Sequence, residues 1–354
     1  APARYHPAPY SNASSLSAWN ESYVADHYNR RNAADRPRLI FPVRKGGDLM
    51  NVLELSHVSK SFGSKKVLND LNFCVPEHVI FGFIGKNGAG KTTTMQMICG
   101  LIPIDQGEIF VCGDPVSFGS SKGNAHIGYL PDVPQFYDFM TPREYLTLCG
   151  QISQIPKDIL TKRIESYLDM VQLLPDRQKI KGFSRGMKQR LGIVQALLNH
   201  PKLLICDEPT SALDPVGRKE ILDILMTIKE HTTVLFSTHI LSDVERICDH
   251  TALLHQGKIQ FLKTREEMKS LQKEADLEVW FRTPEDLTKF QSEFPGGKPT
   301  GSHSLLFSQK DETYILLLME SLVRQQIAVE KIERMEYSLE DLFFETIGNG
   351  GKSS

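Results

Sequence analysis

From residue 50 onward the chain alternates between two hydrophobic rhythms. VLELSHV (52–58) and LNFCV (71–75) read as alternating or buried strands. VIFGFIG (79–85) is a continuous apolar run that stops at a glycine, the pattern of a strand covered on both faces in a parallel sheet. KTTTMQMICG (91–100) then predicts a helix closed by Gly100, with Pro103 just beyond. EIFVCG (108–113) and IGYL (127–130) predict two more strands. Thr141-Pro142-Arg143-Glu144 has the form of a capping box with proline at the first helical position, so a helix opens there, and 141–200 reads as mostly helical. KLLICDE (202–208), TTVLFSTH (232–239) and TALLHQGKI (251–259) return to strands, the last bending at Gln256-Gly257. The predicted core is α/β, a mixed sheet with a helical insertion.

Beyond about residue 270 the rhythm is simpler. LEVWF (277–281), SLLFSQ (304–309) and AVEKIE (328–333) predict strands, separated by helices near 284–293 and 314–325. Ser338-Leu339-Glu340-Asp341 opens a last helix that Gly348 closes. Residues 271–348 thus form a small α+β domain, and 349–354 a flexible end. Residues 1–49 have neither rhythm: YHPAPYSNASS (5–15) is polar and NRRNAADRPR (29–38) is basic without periodicity, a composition expected to be disordered. KGGDLM (45–50) back-translates to a ribosome-binding sequence shortly before a start codon. Residues 1–49 are therefore either a disordered tail or a translated leader ahead of a start at Met50.

Composition narrows the function classes. The chain has 354 residues, suiting two domains and a tail, and is 40% hydrophobic and 24% charged, as ordinary globular proteins are. A net charge of −2 gives no electrostatic reason to expect nucleic acid as partner. No apolar run approaches the roughly 18 residues that cross a bilayer; VIFGFIG and YILLLMESLV are of core length. The six cysteines stand singly, mostly beside aliphatic residues, and are expected to be buried free thiols rather than disulfides or zinc ligands.

Gly85-Lys86-Asn87-Gly88-Ala89-Gly90-Lys91-Thr92 matches G-x-x-x-x-G-K-[ST] between a predicted strand and a predicted helix, the context that the pattern requires. Glycines there let backbone amides turn inward around phosphate oxygens. Lys91 is placed to reach β- and γ-phosphates, and the Thr92 hydroxyl to ligate Mg²⁺. The strand LLICDE ends in two acids: Asp207 is the expected Mg²⁺ partner, and Glu208 the group that orients and polarises an attacking water. His239 ends a neighbouring buried strand, where its imidazole can hydrogen-bond water or the acid. A second helix start lies in GFSRGMKQR (182–190), where Ser184 reads as N-cap and Met187, Leu191, Val194 and Leu198 recur at helical spacing. Helix starts bind anions, so the chain offers two phosphate-facing mouths.

In this combination and order the motifs resemble the ATP-binding-cassette (ABC) ATPase over residues 50 to about 265. GKNGAGKT is similar to the Walker A motif, LLICDE to Walker B, FSRGMKQR to the family signature and SALD (211–214) to the D-loop. The resemblance implies a P-loop ABC ATPase core over 50–270, with an antiparallel β subdomain beside the helical insertion. It implies catalysis by Glu208, His239 and Lys91, and ATP contacts from Phe62, Gly85, Asn87, Gly88, Ala89, Gly90, Lys91, Thr92, Thr93, Ser184, Gly186 and Asp214. Phe62 then holds the adenine-stacking position; its other reading is a half-buried strand residue. Mg²⁺ would be held by Thr92, Asp207 and Asp132. Two positions depart from the family: Asp132 stands where a glutamine is usual, with Gln135 a possible substitute, and Arg185 stands where the signature has glycine. Arg185 must point away from the nucleotide or add a contact to it.

The resemblance also implies a head-to-tail pair of ATPase subunits, as a homodimer or a heterodimer with a related subunit. In it, the signature of one closes over ATP held by the other. YSLEDLFFETIG (337–348) and PDVPQFYDFMTPREYL look like the antibiotic- and bacteriocin-export ATPases, a group with bacitracin-resistance and sodium-efflux members. The expectation is the ATPase subunit of an exporter, held at the cytoplasmic face of the plasma membrane by a multispanning permease. The aromatic run 134–140 either grips that permease or packs into the helical insertion. The alternatives are a non-transport regulatory ATPase whose C-terminal module binds a ligand or protein, and a degenerate cassette that hydrolyses poorly.

Overall fold

The computed structural model describes residues 51–119, 121–174, 177–273, 276–308, 312–335 and 339–343. The expectations for residues 1–49 and 349–354, and for the closing of the last helix at Gly348, lie outside them. Two long strands, β1 (Asn51–Phe62) and β2 (Lys65–Pro76), pair antiparallel through a tight turn. With β4 (Gln106–Val111) and β5 (Asp114–Pro115) they form an antiparallel sheet of order β2-β1-β4-β5. The predicted strand at 108–113 is thus shifted toward its N-terminus. Cys112 and Gly113 both take positive φ and turn the chain instead of extending it.

The central sheet has the order β10-β9-β3-β8-β7-β6. Its members are β3 (Ile80–Ile84), β6 (Ile127–Leu130), β7 (Leu203–Asp207), β8 (Thr233–Thr238), β9 (His250–His255) and β10 (Lys258–Thr264). β3, β6, β7, β8 and β9 run parallel, and β10 folds back antiparallel on β9. That hairpin turns at Gln256 and Gly257, both with φ above zero, as tight hairpins require. Every residue of β3, β7 and β8 is buried, which is why these strands read as continuous apolar runs. Because the strands are parallel, their C-terminal ends gather at one edge, where ligands bind in open α/β sheets.

Helix α1 (Lys91–Ile98) follows β3. The helical stretch 141–200 resolves into α2 (Pro142–Ile152), α3 (Lys157–Met170) and α4 (Arg185–Leu197). The capping box at α2 forms as expected: Glu144 N donates to Thr141 Oγ1 at 3.3 Å, and Thr141 N donates to Glu144 Oε2 at 2.8 Å. Three further helices connect later strands: α5 (Pro215–Ile228), α6 (Leu241–Ile247) and α7 (Arg265–Lys273). One core joins the sheet to these helices through Ile84, Leu130, Leu204, Phe236, Leu146, Ile164, Leu191 and Leu225.

A second core lies under the sheet β12-β13-β11-β14. It comprises β11 (Asp276–Phe281), β12 (Lys298–Pro299), β13 (Ser304–Phe307) and β14 (Val329–Met335), packed with α8 (Pro284–Glu293) and α9 (Glu312–Arg324). Phe281, Phe290 and Phe307 are its largest side chains. The chain then returns to the first core: Leu339 is buried there, with Leu342 and Phe343 packed beside it, and its N–H donates to Glu245 Oε1 at 2.8 Å. All six cysteines are free; Cys74, Cys99, Cys206 and Cys248 are buried, whereas Cys112 and Cys149 are half-buried. Burial pushes the Cys99 thiol up to about 12.

Candidate functional site

The loop 85–90 leaves β3 and enters α1 at the ligand edge of the sheet. Two of its glycines are dictated by geometry. Gly85 lies so close to β9 that a Cβ there would sit 2.5 Å from the Leu254 carbonyl oxygen. Gly90 is the N-cap of α1 at φ 112°, and a Cβ there would meet Leu68 Cδ2 at 2.5 Å. No side chain caps α1, and its first turn holds no acidic residue. Its positive end is therefore left to whatever anion enters the loop. Lys86, Asn87 and Gly88 are exposed, Ala89 and Thr93 half-buried, and Thr92 presents its side chain on the exposed face.

Lys91 is the exception: its side chain is buried, and Nζ donates to the Gly85 carbonyl at 2.8 Å. The same ammonium faces Glu208 Oε1 at 3.1 Å. That buried carboxylate oxygen accepts no aligned hydrogen bond, so the Lys91 charge is what compensates it. The other oxygen, Oε2, lies 2.9 Å from His239 Nδ1. Three side chains from α1, the end of β7 and the end of β8 thus meet at one edge. Glu208 itself has φ 50°, a left-handed conformation held by bonds from its N–H to the Ser237 carbonyl and hydroxyl. Asp207, one residue earlier, is buried and accepts from Ser237 Oγ at 2.5 Å. Ser237 was not singled out in the sequence, although a hydroxyl at the end of an otherwise apolar strand was its signal.

Around the second helix mouth, Met187 N donates to Ser184 Oγ at 3.2 Å, so the expected cap forms. Gly186 has open space around its Cα: a Cβ would meet nothing nearer than Leu213 Cδ2 at 3.9 Å. Arg185 is exposed, and its guanidinium is engaged by neighbours in its own chain. Its Nη2 lies 3.3 Å from Asp132 Oδ1 and 3.3 Å from Ser211 Oγ, and Ser211 Oγ donates to the same Asp132 oxygen at 2.9 Å. The two positions that depart from the family pattern are therefore joined to each other. One turn along α4, buried Gln189 donates from Nε2 to the Asp132 carbonyl at 2.8 Å. Gln135 is exposed. Asp214 caps α5, accepting from Gly217 N at 3.0 Å.

Phe62, at the end of β1, is 52% exposed, with Lys60 Nζ 5.3 Å from its ring centre. An exposed aromatic face of this kind is a stacking platform. The aromatic run 134–140 divides: Phe136 packs edge-on against Tyr145 and joins the core with Met140, while Tyr137 and Phe139 are exposed. Arg218, Thr210 and Asp243, also unmarked in the sequence, form a network that ties the loop after β7 to α6.

These residues fit a triphosphate, with an uncapped helix start, a buried ammonium and a carboxylate oxygen that shares it. Among the described residues no cluster of three or more His, Cys, Asp and Glu side chains could hold a metal. Thr92 and Asp207 suit magnesium in its usual manner, in which phosphate oxygens and water complete the sphere.

A family model described as "ABC transporter" matches residues 68–211. The chain is 35% identical over 305 residues to the uncharacterized ABC transporter ATP-binding protein YxlF of Bacillus subtilis (strain 168), covering 84% of this chain and 99% of that one. It is also 35% identical over 314 residues to the bacitracin transport ATP-binding protein BcrA of Bacillus licheniformis, covering 85% and 99%. Among solved structures it resembles an ATP-binding subunit of an ABC transporter, at 32% identity and a TM-score of 0.56, over 62% of this chain and 92% of that one. The ADP conformation of the cassette MJ1267 gives 26% identity and a TM-score of 0.57, over 63% and 94%.

Proposed function

The chain belongs to the ATP-binding subunits of ABC transporters, and from that premise we propose that it powers an exporter by hydrolysing ATP. The observation that carries the hydrolytic reading is the meeting of Lys91, Glu208 and His239 at the mouth of the loop 85–90. ATP would stack its adenine on Phe62 and lay its phosphates along the loop amides, with Asn87, Thr93 and the glycines lining it. The triphosphate competes with Glu208 for the Lys91 ammonium, so binding both fixes the phosphates and frees a carboxylate. Glu208 then polarises the attacking water, and His239, bonded to its other oxygen, holds the carboxylate in orientation. Thr92 and Asp207 would hold magnesium, which would supply positive charge against the phosphates; Asp132, the third residue of the expected set, has its Oδ1 on Arg185 and Ser211.

The exposed mouth of α4, with Ser184 and Gly186, serves the ATP of a second subunit, homologous or identical, in a two-fold head-to-tail dimer. Bound ATP stabilises the closed pair because only that state offers both surfaces to the γ-phosphate. No helix among the described residues is long and apolar enough to cross a membrane. The subunit would work with a separate multispanning permease, which would hold it at the cytoplasmic face of the plasma membrane. Export is supported by the similarity to the protein named for bacitracin transport, which extends over 85% of this chain. Tyr137 and Phe139 are the exposed anchors offered to the permease.

Two experiments test this. Glu208→Gln should lose about a hundredfold or more in turnover and accumulate an ATP-bound dimer in size-exclusion chromatography; undiminished turnover would remove Glu208 from its role. Tagged protein purified from membranes should bring down a stoichiometric multispanning partner, and its absence would favour a regulatory ATPase instead.

A further inference from the structure

The carboxylate of Asp132 gathers three segments that are remote in sequence. It follows β6, the strand hydrogen-bonded to β7, with Leu130 paired to Cys206 in parallel register. Its Oδ1 accepts from Ser211 Oγ and Arg185 Nη2, while its carbonyl accepts from Gln189. Ser211 carries the contact onward, because its N–H donates to the Glu208 carbonyl at 3.1 Å. The path from the first residue of α4 thus runs through Arg185, Asp132 and Ser211 to the backbone carbonyl of Glu208, the residue that carries the water-polarising carboxylate. The loop it reaches is under strain: Glu208 and Ala212 both sit at positive φ, conformations that persist only when surrounding contacts enforce them.

We propose that Arg185 is a positioning residue for Glu208, acting through Asp132 and Ser211 of its own subunit. The role rests on the reading of Glu208 given above, and it explains how two departures from the family pattern coexist. Asp132 alone would leave a half-buried carboxylate at the phosphate edge, where like charge opposes the triphosphate. Arg185 supplies the compensating charge and draws its own bulk off the mouth of α4, so the Ser184–Gly186 face stays open. The ion pair is too exposed to contribute much stability. Its effect lies in the geometry of the loop 208–212.

The test compares wild type with Arg185→Ala, Arg185→Lys, Ser211→Ala and the double variant Arg185→Ala/Ser211→Ala. Hydrogen exchange of peptide 207–214, measured without added nucleotide, should rise severalfold in both single alanine variants while α5 amides stay unchanged. In the ATPase assay each single alanine variant should lower kcat roughly three- to tenfold at a KM within about twofold of wild type. The double variant should fall no further than the worse single one, and Arg185→Lys should recover at least half of the lost kcat. Multiplied losses in the double variant, or unaltered exchange with a raised KM, would overturn the proposal, the latter by placing the guanidinium on phosphate. Were Glu208→Gln to turn over like wild type, the reading of Glu208 would fail, and the exchange data would still show whether Arg185 holds the loop.

Discussion

Two helix starts in this chain face phosphate chemistry in opposite ways. At α1 the N-cap is a glycine in the left-handed region, no side chain satisfies the first amides, and the cation beside them is buried. At α4 a serine caps the helix in extended conformation, and the adjacent cation is exposed and drawn aside by Asp132. The first mouth has no side-chain cap and no acid in its first turn, which suits an incoming anion. The second is already capped by a side chain of its own chain, and in the proposed dimer it meets the ATP of the other subunit. Under the proposed function, similar local chemistry gives a resident site in one case and a docking face in the other.

Three substitutions sharpen this contrast. Lys91→Ala should have the largest effect, removing ATP hydrolysis by about a hundredfold or more, because it deletes the phosphate-facing cation and strands Glu208 Oε1 without its counter-charge. A steady-state phosphate-release assay reads it directly. Gly90→Ala comes next: a Cβ at φ 112° facing Leu68 should destabilise the fold by about 1–3 kcal/mol and weaken nucleotide binding, as read by thermal unfolding with and without ATP. Ser184→Ala should be mildest, about 1 kcal/mol from the lost cap, with ATP binding to the single subunit unchanged and ATP-dependent dimerisation weakened. Equal loss of monomer ATP affinity in the Ser184 and Gly90 variants would erase the distinction between the two mouths.

What the sequence disclosed followed from range. Strands β3, β7 and β8 were legible because burial on both faces leaves uninterrupted apolar runs. The loop 85–92 was legible because its glycines, lysine and threonine stand at fixed spacing in one short segment, although the contacts that require Gly85 and Gly90 come from Leu254 and Leu68. Helices α5, α6 and α7 went unmarked by local pattern, although parallel neighbours such as β7 and β8 require a crossover between them. The pairing of Arg185 with Asp132 spans 53 residues, and nothing in either segment hints at the other. Ser237 was hidden the same way, since its partner Asp207 belongs to the neighbouring strand. The aromatic run 134–140 left two readings open because composition does not say which ring faces inward; the fold assigns Phe136 to the core and Tyr137 to the surface.

The return of Leu339 to the first core has a mechanical consequence. The module that begins at β11 is tied to the nucleotide-facing sheet at both ends: through α7 where it starts, and through Leu339 and Glu245 where it finishes. Glu245 lies on α6, the helix that begins just after His239. A pull on the module is therefore delivered to the element that carries on from the catalytic edge, as tension on a handle is felt at both of its rivets.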